Sequence, residues 1–244
     1  MKKIVANLKM NFNNEELKDY LIKLLSKNLK NKVIICPSYT SLSLAHFFLK
    51  DSKIELGAQN LCDEEEGKCT GEVSGRMLKS CGVDYVIVGH SERRSKFRES
   101  GKSVNKKIKV ALKNQLKVIL CVGEQLAERN LGKTQEVVRT QLQEAFKGLY
   151  ENELDNIIIA YEPVWAIGSG KTPQVKEVEN IAKFIRKVVC EDFSPKCDKI
   201  EILYGGSIDN KNCSNFAKIK GIDGLLVGGA SLDAENFASI VKSV

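Results

Sequence analysis

The sequence predicts an α/β fold and, within that class, a single (β/α)8 barrel with parallel strands. Short apolar runs rich in β-branched residues recur about every 31 residues, the size of one βαβ unit. These runs are continuously apolar rather than alternating, which is typical of parallel strands covered by helices on both faces. The runs begin near Ile4, Lys32, Ile54, Tyr85, Lys117, Ile157, Lys199 and Asp223.

The segments between these runs have helical periodicity. Asn13 with Glu16 predicts a capping box at the first helix, Thr172-Pro173 predicts the start of a later one, and residues 233–244 predict the last. We therefore expect one helix after each strand. An open doubly wound sheet is an alternative, but eight similar units without an insertion favour a closed barrel. We expect residues 1–244 to form one domain.

The composition excludes several classes of protein. Of the 244 residues, 43% are hydrophobic and 28% are charged, which is the balance of a folded globular chain rather than a disordered one. No apolar run approaches the length that crosses a bilayer. The first residues lack the sustained apolar stretch of a signal peptide, so we expect a cytoplasmic protein with no membrane partner.

The net charge of +7 raises the question of nucleic-acid binding. Of the 38 basic residues only seven are arginines, and the lysines are mixed with glutamates on the predicted helix faces. This pattern favours ordinary solvated surfaces, and we expect no nucleic-acid partner.

The eight cysteines do not indicate a metal site. Their spacing is irregular, no Cys-x-x-Cys pair occurs, and the chain has two histidines. We expect no metal and no cofactor, and we expect free thiols, several of them in the core.

Polar residues cluster where the predicted strands end, which is the face where a barrel carries its chemistry. The strand ends read Asn7-Leu8-Lys9, Gln59-Asn60, Gly89-His90-Ser91-Glu92, Gly123-Glu124, Tyr161-Glu162, Gly205-Gly206-Ser207 and Gly228-Gly229. We therefore expect the side chains of Lys9, His90 and Glu162 to lie close together at one mouth of the barrel.

Each of these three residues also has an ordinary structural interpretation: a surface lysine, a core histidine, and a carboxylate in a salt bridge. A charge at the end of a buried strand is costly unless it serves a purpose, which favours the functional interpretation. The glycine pairs after the last two strands are where barrels expose backbone N–H groups to a phosphate.

Residues 163–173 have the composition of a lid. The segment holds the only tryptophan of the chain, Trp165, within an apolar run bounded by Pro163 and Pro173. A plain surface loop does not carry such a run, whereas a segment that closes over a site and excludes water does.

Together, these motifs resemble the triosephosphate isomerase family. The resemblance is carried in order along the whole chain by NLKMN at 7–11, GHSERR at 89–94, AYEPVWAIGSGK at 160–171, YGGS at 204–207 and GLLVGGAS at 224–231. The segment around Glu162 is highly specific, whereas the glycine pairs alone are weak. The resemblance implies the TIM-barrel fold and the interconversion of dihydroxyacetone phosphate and D-glyceraldehyde 3-phosphate in glycolysis and gluconeogenesis.

The resemblance also assigns roles. It implies that Glu162 is the base, His90 the electrophile and Lys9 the cation. Substrate contacts are implied for Asn7, Lys9, Gly168, Ser207, Gly228 and Gly229, and support from Ser91 and Glu92. It further implies a homodimer in which the loop 61–71, with Thr70 at its tip, enters a pocket of the twin subunit near Lys9.

The sequence departs from the family's usual residues at Leu8, Ser169 and Ser74-Gly75, and none of these touches the chemistry. Two alternatives remain. One is another phosphate-binding barrel isomerase, and the other is a binding protein with this fold but without turnover, which would usually have lost Lys9, His90 or Glu162.

Overall fold

A computed structural model describes residues 1–194 and 199–244, and in it eight parallel strands close into a barrel in sequential order. The strands are β1 Lys3–Asn7, β2 Lys32–Cys36, β3 Glu55–Ala58, β4 Tyr85–Val88, β5 Lys117–Val122, β6 Ile157–Tyr161, β7 Glu201–Tyr204 and β8 Gly224–Val227. β1 pairs in parallel with both β2 and β8, which closes the ring. The predicted (β/α)8 barrel is confirmed, and the open sheet is excluded.

Helices surround the barrel. They are α1 Asn14–Leu25, α2 Leu42–Leu49, α3 Gly75–Ser80, α4 Ser91–Lys96, α5 Gly101–Lys113, α6 Leu126–Asn130, α7 Thr134–Phe146, α8 Val175–Asp192, α9 Cys213–Ala217 and α10 Ala234–Lys242. The expectation of one helix per strand is wrong at β4 and β5, each of which is followed by two helices. In both connections a short helix, α4 or α6, precedes a helix of 13 residues, α5 or α7.

The helix starts follow local capping. Asn13 caps α1 and forms the predicted capping box with Glu16. The prediction of a helix start at Thr172-Pro173 is wrong, because α8 begins at Val175 and the backbone N–H of Gln174 donates to Glu177 Oε2 at 2.8 Å. The glutamate therefore sets the start of this helix.

Side chains alternate between two buried layers. Val5, Ile158 and Ala160 belong to the cluster inside the barrel, whereas Ile4 and Ile159 belong to the cluster between strands and helices. Because successive residues of a strand face opposite sides, this alternation directs Asn7 and Glu162 toward the interior at the mouth.

Most of the thiols agree with the sequence-based expectation. Six cysteines in the described ranges are free, and of these Cys36, Cys62, Cys121 and Cys213 are buried. The expectation of free thiols is wrong for Cys190, which is disulfide-bonded, and Cys197 lies outside the described residues. Within the described ranges, no helix combines the length and the apolar character that crossing a membrane requires.

Candidate active site

The strand ends enclose a cavity of about 280 Å³ at the mouth of the barrel. Its wall includes Asn7, Lys9, His90 and Glu162 on one side. Lid residues and the turns after β7 and β8 contribute Ile167, Gly168, Gly205, Gly206, Ser207, Gly228 and Gly229. The structure therefore brings the predicted residues together, and Ser91 and Glu92 contact Glu162 and Lys9 respectively.

Glu162 and His90 are in direct contact. The distance between His90 Nε2 and Glu162 Oε1 is 3.1 Å, and Glu162 is only 2% exposed. The second carboxylate oxygen, Oε2, accepts a hydrogen bond from the backbone N–H of Ser91 at 3.2 Å. The carboxylate is thus held by α4 at one oxygen and by the imidazole at the other.

The orientation of the His90 ring is fixed by its other nitrogen. His90 precedes α4, and its Nδ1 accepts from the backbone N–H of Glu92 at 3.2 Å. Because a proton on Nδ1 would break this hydrogen bond, the proton of the neutral ring lies on Nε2, which faces Glu162. Burial is the largest single influence and lowers the pKa of His90, but the charge of Glu162, the hydrogen bond to Glu162 and the charge of Glu92 together raise the pKa above its usual value.

Glu162 remains ionised in spite of its burial. Burial raises its pKa, but His90, the Ser91 amide and the charge of Lys9 together lower the pKa of Glu162 below its usual value. An ionised carboxylate that is shielded from water is suited to accept a proton from carbon.

Lys9 adopts a backbone conformation that is rare for residues other than glycine, with φ of 53°. Its backbone N–H donates to Asn7 Oδ1 at 3.1 Å, and its carbonyl accepts from Gln59 Nε2 at 2.8 Å. The ammonium forms an ion pair with Glu92 Oε1 at 2.5 Å. The sequence analysis placed Gln59 at a strand end and predicted no role for it. Its position as a polar residue directly after a buried strand was the signal that could have indicated one.

Two of the glycines on the opposite side of the cavity leave no room for a side chain. A Cβ on Gly205 would lie 3.0 Å from Glu162 Cγ, and a Cβ on Gly206 would lie 2.2 Å from the Tyr204 hydroxyl. A 3-10 turn at Gly229–Ser231 begins directly after Gly228. Backbone N–H groups at the start of such a turn favour a bound anion.

The lid segment is anchored beside the base. Trp165 Nε1 donates to Glu124 Oε1 at 2.7 Å, and the Tyr161 hydroxyl donates to Glu124 Oε2 at 3.0 Å. The Arg129 guanidinium lies 3.9 Å from the centre of the Trp165 ring. Burial raises the pKa of Glu124, although these donors counter it. The sequence analysis predicted no role for Glu124. A carboxylate directly after a buried strand could again have indicated one.

Comparisons with known proteins agree with this geometry. The family model described as triosephosphate isomerase matches residues 2–244. Three similar proteins, each named triosephosphate isomerase, come from Dictyoglomus thermophilum, Caldanaerobacter subterraneus subsp. tengcongensis and Moorella thermoacetica, at 46%, 46% and 45% identity. Each alignment covers 98% of this chain, and 98%, 98% and 97% of the respective relatives. The chain belongs to the triosephosphate isomerase family.

Proposed function

We propose that the chain interconverts dihydroxyacetone phosphate and D-glyceraldehyde 3-phosphate at this cavity, as an isomerase of glycolysis and gluconeogenesis. Membership of the family supports the reaction. The observation that carries the assignment of roles is the 3.1 Å contact between His90 Nε2 and Glu162 Oε1 within the cavity that Lys9 also lines. This contact supports the assignment of a base, a hydrogen-bond donor and a cation to residues around one small volume.

The phosphate of the substrate binds at the backbone N–H groups of Gly168, Ser207, Gly228 and Gly229, where the partial positive charge of the peptide units favours an anion. Asn7 and Lys9 contact the substrate from the first strand. A bound phosphate fixes the position of the reacting carbons relative to Glu162.

Glu162 then takes a proton from the carbon beside the carbonyl. The oxygen gains negative charge, which the Nε2–H of His90 and the ammonium of Lys9 stabilise. In the enediol(ate) that forms, the hydroxyl proton passes to the former carbonyl oxygen through Nε2 of His90, and Glu162 returns its own proton to the neighbouring carbon. Since the electrons stay within the substrate, this scheme uses no metal and no organic cofactor.

The second oxygen of Glu162 and the side chain of Lys9 are positioned by Ser91 and Glu92. The Ser91 amide holds the carboxylate, and Glu92 links Lys9 to the helix that His90 caps. Ser91 and Glu92 therefore act as positioning residues in this scheme.

We further propose a cytoplasmic homodimer in which residues 1–244 of each copy form one domain. A recess of about 360 Å³ adjoins the active cavity and shares Asn7, Lys9 and His90 with it. Met10 and Phe97 line the recess and are 95% and 66% exposed, which is costly for large apolar side chains in water. The loop 61–71 of a second copy would fill the recess, and a two-fold axis would make the contact reciprocal.

A coupled isomerase assay on the purified chain tests the reaction. We expect turnover in both directions with the two triose phosphates and far lower turnover with larger aldose phosphates, because the cavity is small. Turnover of a larger sugar phosphate in preference to both trioses would instead support a biosynthetic isomerase. Phosphate binding without turnover would support a binding protein.

A further inference from the structure

The short helix α4 carries no apolar side chain. Its six residues, Ser91–Lys96, read SERRSK, and of these only Ser91 is buried. The burial of an apolar face, which holds most helices to a protein core, therefore contributes little to its position. Yet the Ser91 amide donates to Glu162 and the Glu92 amide donates to His90. Polar contacts must hold this helix where its amides meet the two reacting side chains.

Two of these contacts come from one guanidinium. Arg94 Nε donates to the carbonyl of Gly89 at 2.8 Å, and Arg94 Nη2 donates to the carbonyl of Cys121 at 3.2 Å. We call this pair of hydrogen bonds the Arg94 fork. The last residues that pair between β4 and β5 are Val88 and Leu120, and each acceptor lies one residue further along its chain. The fork thus joins the two strands just past the point where their backbone pairing ends.

The backbone at Gly89 leaves space for this guanidinium. Gly89 has φ of 70°, and a Cβ at this position would lie 2.8 Å from Arg94 Nη2. Any side chain here would therefore strain the backbone and displace the guanidinium as well. The Arg94 side chain is partly buried behind the strand ends, where Arg94 lines a small void of about 10 Å³ together with Gly89, Ser91 and Cys121.

The fork matters because His90 and Glu162 follow strands that are not neighbours. β5 lies between β4, which leads to His90, and β6, which leads to Glu162. On the β6 side, the backbone N–H of Glu162 donates to the Val122 carbonyl at 2.8 Å, so backbone pairing fixes Glu162 to β5. On the β4 side, pairing stops before His90, and Arg94 supplies the link. The 3.1 Å contact between His90 Nε2 and Glu162 Oε1 depends on both links.

We propose that Arg94 is a positioning residue for the isomerisation. By joining Gly89 to Cys121 it fixes the start of α4, and through α4 it sets the distance and the orientation of the His90 ring relative to Glu162. The effect on reaction rate rests on the proposed function. The effect on the His90 ring does not, because it follows from the hydrogen bonds alone.

Two substitutions separate the fork from the charge of the guanidinium. In Arg94→Lys the charge remains, but an ammonium is a point donor and cannot reproduce the planar fork. In Arg94→Gln both the charge and the fork are lost. The matched control is Arg139→Lys, which removes another forked contact, from α7 to Glu191 and Asp192 of α8 on the outside of the barrel.

Steady-state kinetics and competition by inorganic phosphate give the first readout. We expect kcat to fall about tenfold or more in both Arg94 variants, because a small displacement of reacting groups is costly. Affinity for inorganic phosphate should stay the same, since the proposed phosphate site lies on the other side of the cavity. Arg139→Lys should change neither quantity. Full turnover in Arg94→Lys overturns the proposal, and so does a loss of phosphate affinity in parallel with kcat.

Nitrogen-15 NMR of the histidine rings gives a second readout that requires no activity. In the unmodified chain His90 Nδ1 accepts from the Glu92 amide at 3.2 Å, which keeps the proton of the neutral ring on Nε2. In both Arg94 variants this hydrogen bond should weaken, and the fraction of rings protonated at Nδ1 should rise. His46, the other histidine of the chain, is the internal reference for a folded protein.

The two readouts fail in distinguishable ways. An unmodified chain without turnover, combined with an altered His90 ring in the Arg94 variants, contradicts the proposed function and leaves the positioning role intact. An unchanged His90 ring in Arg94→Lys overturns the positioning role, whatever the turnover. Should Arg94→Gln fail to fold, Arg94→Lys decides the matter by itself.

Discussion

The side chain of Gln59 holds the carbonyl of Lys9 through a hydrogen bond of 2.8 Å from Nε2, and the same nitrogen donates to the Cys36 carbonyl at 2.8 Å. Lys9 has φ of 53°, a conformation that costs a non-glycine residue about 1–3 kcal/mol unless its surroundings hold it. Gln59 therefore stabilises the backbone that aims the ammonium of Lys9 into the cavity.

Replacement of this donor is expected to slow the reaction without unfolding the barrel. In Gln59→Glu the side chain keeps its size but cannot donate, so Lys9 loses a hydrogen bond of about 1 kcal/mol, or roughly fivefold in kcat/KM. Steady-state kinetics and thermal unfolding measure the two effects, with Gln135→Glu on the exposed face of α7 as the control. Unchanged kcat/KM in Gln59→Glu would show that Gln59 does not position Lys9.

Glu162→Asp tests the base. The substitution keeps the charge but withdraws the carboxylate by one methylene, and a displacement on that scale costs about 100-fold in rate. We expect kcat to fall by that amount while affinity for inorganic phosphate stays the same, and we expect no effect from Glu136→Asp on the surface. Near-normal turnover would remove Glu162 from the role of base.

The pH dependence tests the coupling between Glu162 and His90. His90 lowers the pKa of Glu162, so His90→Gln should raise it. The base works only when ionised, and a raised pKa means that activity is lost at a higher pH as the solution is acidified. The pH at which kcat/KM falls on the acid side should therefore rise. The pH at which the infrared band of the ionised carboxylate disappears should rise with it. An unchanged midpoint for the titration of the carboxylate band would refute the coupling.

The lid prediction concerns a side reaction. Removal of residues 167–170 should leave the anchor of Trp165 on Glu124 and the barrel intact, while water reaches the enediol(ate). The intermediate then eliminates phosphate, and methylglyoxal rises relative to isomerised product. Both products can be measured in one reaction, and an unchanged ratio argues against the role of the lid.

The assembly prediction concerns Thr70, which is exposed in the single chain. Sedimentation of the unmodified protein should give about twice the chain mass of 27.1 kDa. Thr70→Arg places a charged side chain at the tip of the loop 61–71 and should yield a folded monomer with weak activity. Thr140→Arg on α7 serves as the control. A fully active protein at the monomer mass would exclude the proposed dimer.

The sequence predicted the barrel and the meeting of Lys9, His90 and Glu162 because each of these depends on strand order. Continuous apolar runs locate buried strands, and parallel strands place their carboxyl ends at one face. The side chain at each end then follows from the sequence alone.

Features that depend on side-chain partners distant in sequence were not predictable in this way. The hydrogen bond from Trp165 to Glu124 spans 41 positions, and the one from Gln59 to Lys9 spans 50. The predicted start of α8 was wrong because the helix is capped at Gln174, whose N–H donates to Glu177, and not at Thr172. The ion pairs of Glu64 with Lys106 and of Glu65 with Lys113 likewise join residues that lie far apart in the sequence.

Because side chains alternate along β1, neighbouring residues of this segment are constrained either by catalysis or by packing. Asn7 and Lys9 face the mouth, whereas Leu8 is fully buried in the layer that the helices cover. A substitution at Leu8 therefore affects packing alone, whereas a substitution at Lys9 affects the reaction rate. An engineer who wishes to raise the melting temperature can vary the outward-facing positions of all eight strands as one library and leave the catalytic mouth untouched.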